Sequence, residues 1–85
     1  MVIRISSKFK KAYKKLPNYV KEKTKEKEKI FRINAFDAGL GSHKLHGKYK
    51  DYWAFVVVGQ YRIMFAFINK DKIDFINIGT HEIYK

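Results

Sequence analysis

Apolar positions along the chain change their period three times, and each change marks an element. Val2-Ile3-Arg4-Ile5 is a short β-rich run that predicts a strand. Ser6 and Ser7 can cap a helix starting at Lys8, in which Phe9, Ala12, Tyr13 and Leu16 form an i, i+3, i+4, i+7 stripe against lysines. Pro17 ends that helix, since its ring clashes with the preceding turn and its nitrogen has no proton to donate. Asn18 can cap a second helix reaching Arg32 to Asn34, with Val20, Thr24, Lys27 and Phe31 on one face and Ile30 beside them. Lysine stems must cover part of that poor stripe.

Between Asp37 and Asp51 the pattern breaks, and Gly39, Gly41 and Gly47 mark a long basic loop. Strands are then predicted over Tyr52 to Val58, Tyr61 to Ile68 and Lys72 to Ile78. Gly59-Gln60 is a glycine-first hairpin turn and Asn69-Lys70-Asp71 a second turn. The order is β-α-α-β-β-β. It implies an α+β fold in a single domain, residues 1–85, with a helix hairpin packed on a small, mainly antiparallel sheet and the first strand at an edge. Both faces of that sheet are apolar. One must pack on the helices; the other is expected to leave Trp53, Phe55 and Met64 near the surface as a partner site.

Charge sharpens the picture. The 85 residues carry 19 Lys and Arg against 8 Asp and Glu, a net +11, of which +9 falls within residues 1–32. Such a field attracts polyanions or an acidic protein. With no cysteine, disulfides and thiolate metal sites are excluded, and a cytoplasmic setting is expected. No apolar run approaches the ~20 residues needed to span a bilayer, and nothing at the N-terminus reads as an export signal. His43, His46 and His81 are the candidate acid–base groups. His43 and His46 are loosely spaced for metal, but Asp51 is the nearest carboxylate, so no metal and no other cofactor is expected. Histidines with a strand arginine and a terminal tyrosine suit metal-free RNA cleavage. That reaction needs a base for the 2′-OH, an acid for the 5′-oxygen and a cation for the phosphorane.

Lys44-Leu45-His46-Gly47, Lys50-Asp51-Tyr52-Trp53, Tyr61-Arg62-Ile63 and Gly79-Thr80-His81-Glu82-Ile83-Tyr84 together resemble the RelE/ParE toxin superfamily, most closely its RelE/YafQ-like mRNA interferases. The resemblance implies a type II toxin, a ribosome-dependent mRNA endoribonuclease that inhibits translation and is neutralised by a cognate antitoxin. Operator DNA would be reached only through the antitoxin, and no membrane is involved. It implies that Arg62 contacts the scissile phosphate, His81 is the catalytic acid, Tyr84 lies near the bound nucleotide, and His43 is a further functional histidine. Lys44, His46, Lys48 and Lys50 would hold RNA, with Lys10, Lys11 and Lys14 of the first helix adding phosphate or ribosome contacts; Trp53, Phe55 and Met64 would hold the antitoxin. The chain departs from the family where RelE has two lysines: Trp53 and Phe55 stand there, able to stack on bases or to fill the core. A second YafQ-type histidine falls near Phe55, and an aspartate near Gln60, which leaves the general base open. The alternatives are a ParE-like gyrase inhibitor and a degenerate toxin that only binds antitoxin.

Overall fold

The computed structural model describes residues Met1–Lys85. Strand β1 (Val2–Ile5) turns Ile3 and Ile5 toward the core and leaves Val2 and Arg4 exposed. Ser6 then caps helix α1 (Ser7–Lys14). Its hydroxyl accepts from the Phe9 amide at 2.9 Å and donates to the Ile76 carbonyl at 2.6 Å, so one oxygen both starts the helix and ties it to the sheet. Helix α2 spans Asn18–Ile33. Asn18 is its first helical residue rather than its cap; Pro17 takes the cap position, where its carbonyl accepts from Val20 and Lys21 and its missing N–H costs nothing. The predicted stripe is buried at Val20, Thr24 and Phe31, and the Lys27 amine reaches the Gly39 carbonyl at 2.9 Å.

Five strands form one sheet in the order β1-β5-β4-β3-β2. β3 (Trp53–Val58), β4 (Tyr61–Phe67) and β5 (Lys72–Gly79) are an antiparallel meander. β1 lies at the edge, parallel to β5, because the helix hairpin supplies the crossover that parallel pairing needs. Along it Arg4 forms a forked hydrogen-bonded ion pair with Asp74, at 2.7 and 3.0 Å, which raises the guanidinium's pKa further. The fifth strand was not expected. β2 (His43–Lys44) lies inside the predicted basic loop, and two residues carry no periodicity by which to see it.

Register decides which side chains share a face. Trp53 pairs with Phe65, which pairs with Phe75; Phe55 pairs with Ile63, which pairs with Ile78. These rows meet the helices, and the Phe31 ring sits 5.0–5.4 Å from those of Phe55, Phe65 and Phe75. Phe75 and Ile78 are three apart yet share the face because Ile76 is the extra residue of a bulge opposite Met64 and Phe65.

The expected surface of Trp53, Phe55 and Met64 therefore does not exist. Phe55 is completely buried beneath α2, and Met64, paired with Ala54, points to the opposite face. There Met64 is also buried. The C-terminal turn His81–Tyr84 packs on β4 and β5 as a partial second layer, with Ile83 buried in it. No helix is long and apolar enough to cross a membrane.

Candidate catalytic site and nucleic-acid interface

The sheet face away from the helices carries the candidate chemistry. Its first row runs His43, Ala54, Met64, Asn77 across β2, β3, β4 and β5; the next runs Val56, Arg62, Gly79. Directly paired antiparallel residues share a face, so His43 and Arg62 are on the same side. Two strand spacings and a two-residue step put their backbones ~12 Å apart. His81 lies two residues beyond Gly79, the direct partner of Arg62, at the β5 end of this face. Arg62 thus stands between the two histidines.

Tyr84 is the hub. Its ring centroid lies 5.9 Å from the Arg62 guanidinium carbon, 6.0 Å from the His81 ring and 6.2 Å from Tyr49. Tyr49 lies 6.1 Å from Tyr52, and the Lys48 amine sits 5.1 Å above the Tyr49 ring. The Tyr84 hydroxyl is buried and has no hydrogen-bond partner, a cost that a bound acceptor or water would relieve. Arg62 is half-buried and spends one N–H on the Gln60 carbonyl at 3.2 Å, keeping its terminal nitrogens for a ligand. The His43 Nδ1 lies 3.0 Å from the Gly41 carbonyl, which can only accept. Nδ1 therefore carries the proton, and Nε2 of the neutral ring is left as an acceptor.

Not every expected residue joins this face. Lys44 follows His43 in the strand and points the other way, beside its pair partner Trp53. His46, Lys48 and Lys50 are exposed around the turn Gly47–Tyr49 and rim the tyrosine cluster. Lys10, Lys11 and Lys14 ride on α1, on the far side of the sheet, and cannot reach a phosphate held at Arg62. The positions of β3 on this face are Ala54 and Val56, and Trp53 and Phe55 lie on the opposite one.

Tyr49, Tyr52 and Asn77 escaped sequence reasoning. The two tyrosines flank the quoted Lys50-Asp51 motif, and their three-residue spacing was the available signal. Asn77 reads as one polar residue in an apolar strand; it is buried, with its side-chain oxygen on the Ile78 amide at 2.9 Å. No three His, Asp or Glu side chains converge as a metal-ligand set. The largest cavity, about 450 Å³, opens between the helices and is lined by Phe9, Tyr13, Thr24 and Phe75, remote from these groups.

No protein-family model matches the sequence, and no curated protein matches it. Solved structures do. YafQ of Escherichia coli superposes with a TM-score of 0.79 at 22% identity, covering 96% of this chain and 94% of that one. The YoeB/ParE toxin of Agrobacterium tumefaciens gives 0.80 at 14% identity, over 95% and 99%. The RelB-RelE antitoxin–toxin complex of Methanococcus jannaschii gives 0.73 at 26% identity, over 95% and 94%. Helix hairpin, sheet order and C-terminal turn together have the fold of the RelE/YafQ/ParE toxin superfamily.

Proposed function

We propose that this protein is a toxin-type mRNA endoribonuclease, kept inactive by a cognate antitoxin. The observation that carries the reading is the placement of Arg62 between His43 and His81 on one sheet face, with the Tyr49, Tyr52 and Tyr84 rings alongside. In-line cleavage of RNA needs this order: a base on one side of the phosphorus, an acid on the other and a cation between them. His43 Nε2 takes the proton of the 2′-OH as the 2′-oxygen bonds to phosphorus. Arg62 stabilises the charge on the equatorial oxygens, and His81 gives a proton to the departing 5′-oxygen. The products are a 2′,3′-cyclic phosphate and a 5′-OH end, and no step requires a metal. Tyrosine faces accept bases by stacking, which suits a single strand splayed out of its helix. Docking on the ribosome would supply the message in that form.

The antitoxin part rests on the solved relatives: the M. jannaschii structure is an antitoxin–toxin complex, and E. coli YafQ has been solved with DinJ. One observation favours a second reading. Ala54 and Val56 bring no ionisable group to the site, so a toxin that binds antitoxin without cleaving RNA is the rival.

Induction in cells with primer extension on a reporter mRNA separates the two. The nuclease reading expects growth arrest and discrete 5′ ends, both lost in Arg62→Ala and His81→Ala while antitoxin binding persists. Each loss should be ~10²–10⁴-fold in rate. His43→Ala should match them as the base and fall short if it only positions RNA. Arrest with intact mRNA and inhibited gyrase would refute the nuclease reading, as would absence of any arrest.

A further inference from the structure

The face opposite Arg62 carries an apolar cluster that the core does not cover. Trp53 is half-buried, Phe36 is 56% exposed and Phe67 is 37% exposed. Their three rings pack on one another at 5.3–5.8 Å, so the cluster is a preformed platform of aromatic surface. Ile33, the last residue of α2 and three residues before Phe36, is 89% exposed. Leaving large apolar side chains together in water is unfavourable, and such clusters mark association surfaces.

The surroundings select the occupant. Lys44 is exposed and shares Trp53's face as its pair partner in the sheet. Lys29, four residues before Ile33, is exposed on the same side of α2. Neither cation has an ion-pair partner. The nearby acid Asp37 is engaged with the Gly39 amide at 2.8 Å, and Arg32 with Glu28 at 3.2 Å. A second copy of the chain would bring its own net +11 to this basic rim and be repelled.

We propose that Ile33, Phe36, Trp53 and Phe67 anchor an acidic, amphipathic segment of a partner protein. Large apolar side chains of the segment seat on the rings, while its carboxylates meet Lys29 and Lys44. The proposal extends the antitoxin reading above by naming the surface. It also separates that surface from the chemistry, because the anchor lies on the opposite side of the sheet from Arg62, His43 and Tyr84. A segment held here would leave the candidate site open unless another part of the partner covered it.

Trp53 is the only tryptophan, so its fluorescence reports the patch directly. The probe is a synthetic acidic peptide with leucines at i, i+3, i+4 and i+7 and glutamates between, titrated into the full chain. The expected result is a saturable blue shift that weakens with salt. Ile33→Ser with Phe36→Ser should weaken binding at least about tenfold, the size expected of an aromatic anchor, with circular dichroism confirming the fold. Arg62→Ala should bind as wild type. Binding of a scrambled peptide of equal composition, unchanged affinity in the Ser variant, or a blue shift with phosphatidylglycerol vesicles but not with the peptide would each overturn the proposal. So would sedimentation showing that the patch already pairs two copies. RNA cleavage by the wild type and by the Ser variant is measured in parallel. Loss of peptide binding by the variant with cleavage intact supports the anchor, while a wild type that binds the peptide but cleaves no RNA removes the nuclease reading alone.

Discussion

Gly79 joins the sheet to the C-terminal turn that carries His81 and Tyr84, and replacing it by alanine tests how that turn is held. Its φ is +158°, in a region that side-chain-bearing residues rarely adopt, and a Cβ there would lie 2.9 Å from the Ile83 Cγ2. Two costs follow in Gly79→Ala. The backbone cost is about 1–3 kcal/mol for a residue held in a glycine region. The steric cost depends on whether the turn lifts, since Ile83 is itself buried and backed by β4 and β5. A combined loss near 2 kcal/mol lowers Tm by roughly 8–16 °C in a domain of this size. Ile83→Ala removes the clashing methyl but leaves a hole, costing about 2–5 kcal/mol alone. The double variant should then be less destabilised than the sum of the two singles, by about 0.5–3 kcal/mol. Denaturant midpoints of the four proteins give this coupling. Lifting the turn should also move Tyr84 from Arg62 and lower any RNA cleavage more than the stability loss explains. Strict additivity, or a Gly79→Ala protein as stable as wild type, would refute the reasoning.

Ser6→Ala deletes both a helix cap and a tie to Ile76, and should cost about 1–2 kcal/mol by chemical denaturation. Phe31→Ala empties the centre of the aromatic core, and its cost of about 3–5 kcal/mol should leave much of a marginally stable chain unfolded by near-ultraviolet circular dichroism. Arg4→Ala breaks a well-formed ion pair whose arginine is 58% exposed, so solvent screening should leave the denaturant midpoint close to that of wild type in the same assay. If RNA is bound, log affinity should fall linearly with log salt, and removing Lys48 and Lys50 should flatten that slope more than removing Lys10 and Lys11, which lie across the sheet.

Most of the architecture was legible because its signals are local. The Phe9-Ala12-Tyr13-Leu16 stripe, the break at Pro17 and the alternation in β3 and β4 each lie within one element. The glycine-first turn at Gly59, which has φ +55°, is just as local. Arg62, His81 and Tyr84 were legible as a set through the ordered motifs around them, and they do converge. Tyr49 and Tyr52 join that cluster only because the loop folds back beside the C-terminal turn, which no periodicity encodes.

Residue order alone determined the helix hairpin, the meander and the +11 field, since these follow from short-range periodicity, backbone restriction and composition. Tertiary structure decided which side of the sheet each group serves. The bulges at Val57 and Ile76 shift the alternation by one residue, and a shift of one exchanges the faces. That is why Phe75 and Ile78 share the core. Register likewise separated Trp53 and Phe55 from Met64 and turned His43 toward Arg62 while sending its neighbour Lys44 to the opposite face. Cross-strand register is a property of paired strands, so it is absent from any single stretch of sequence until the chain has folded.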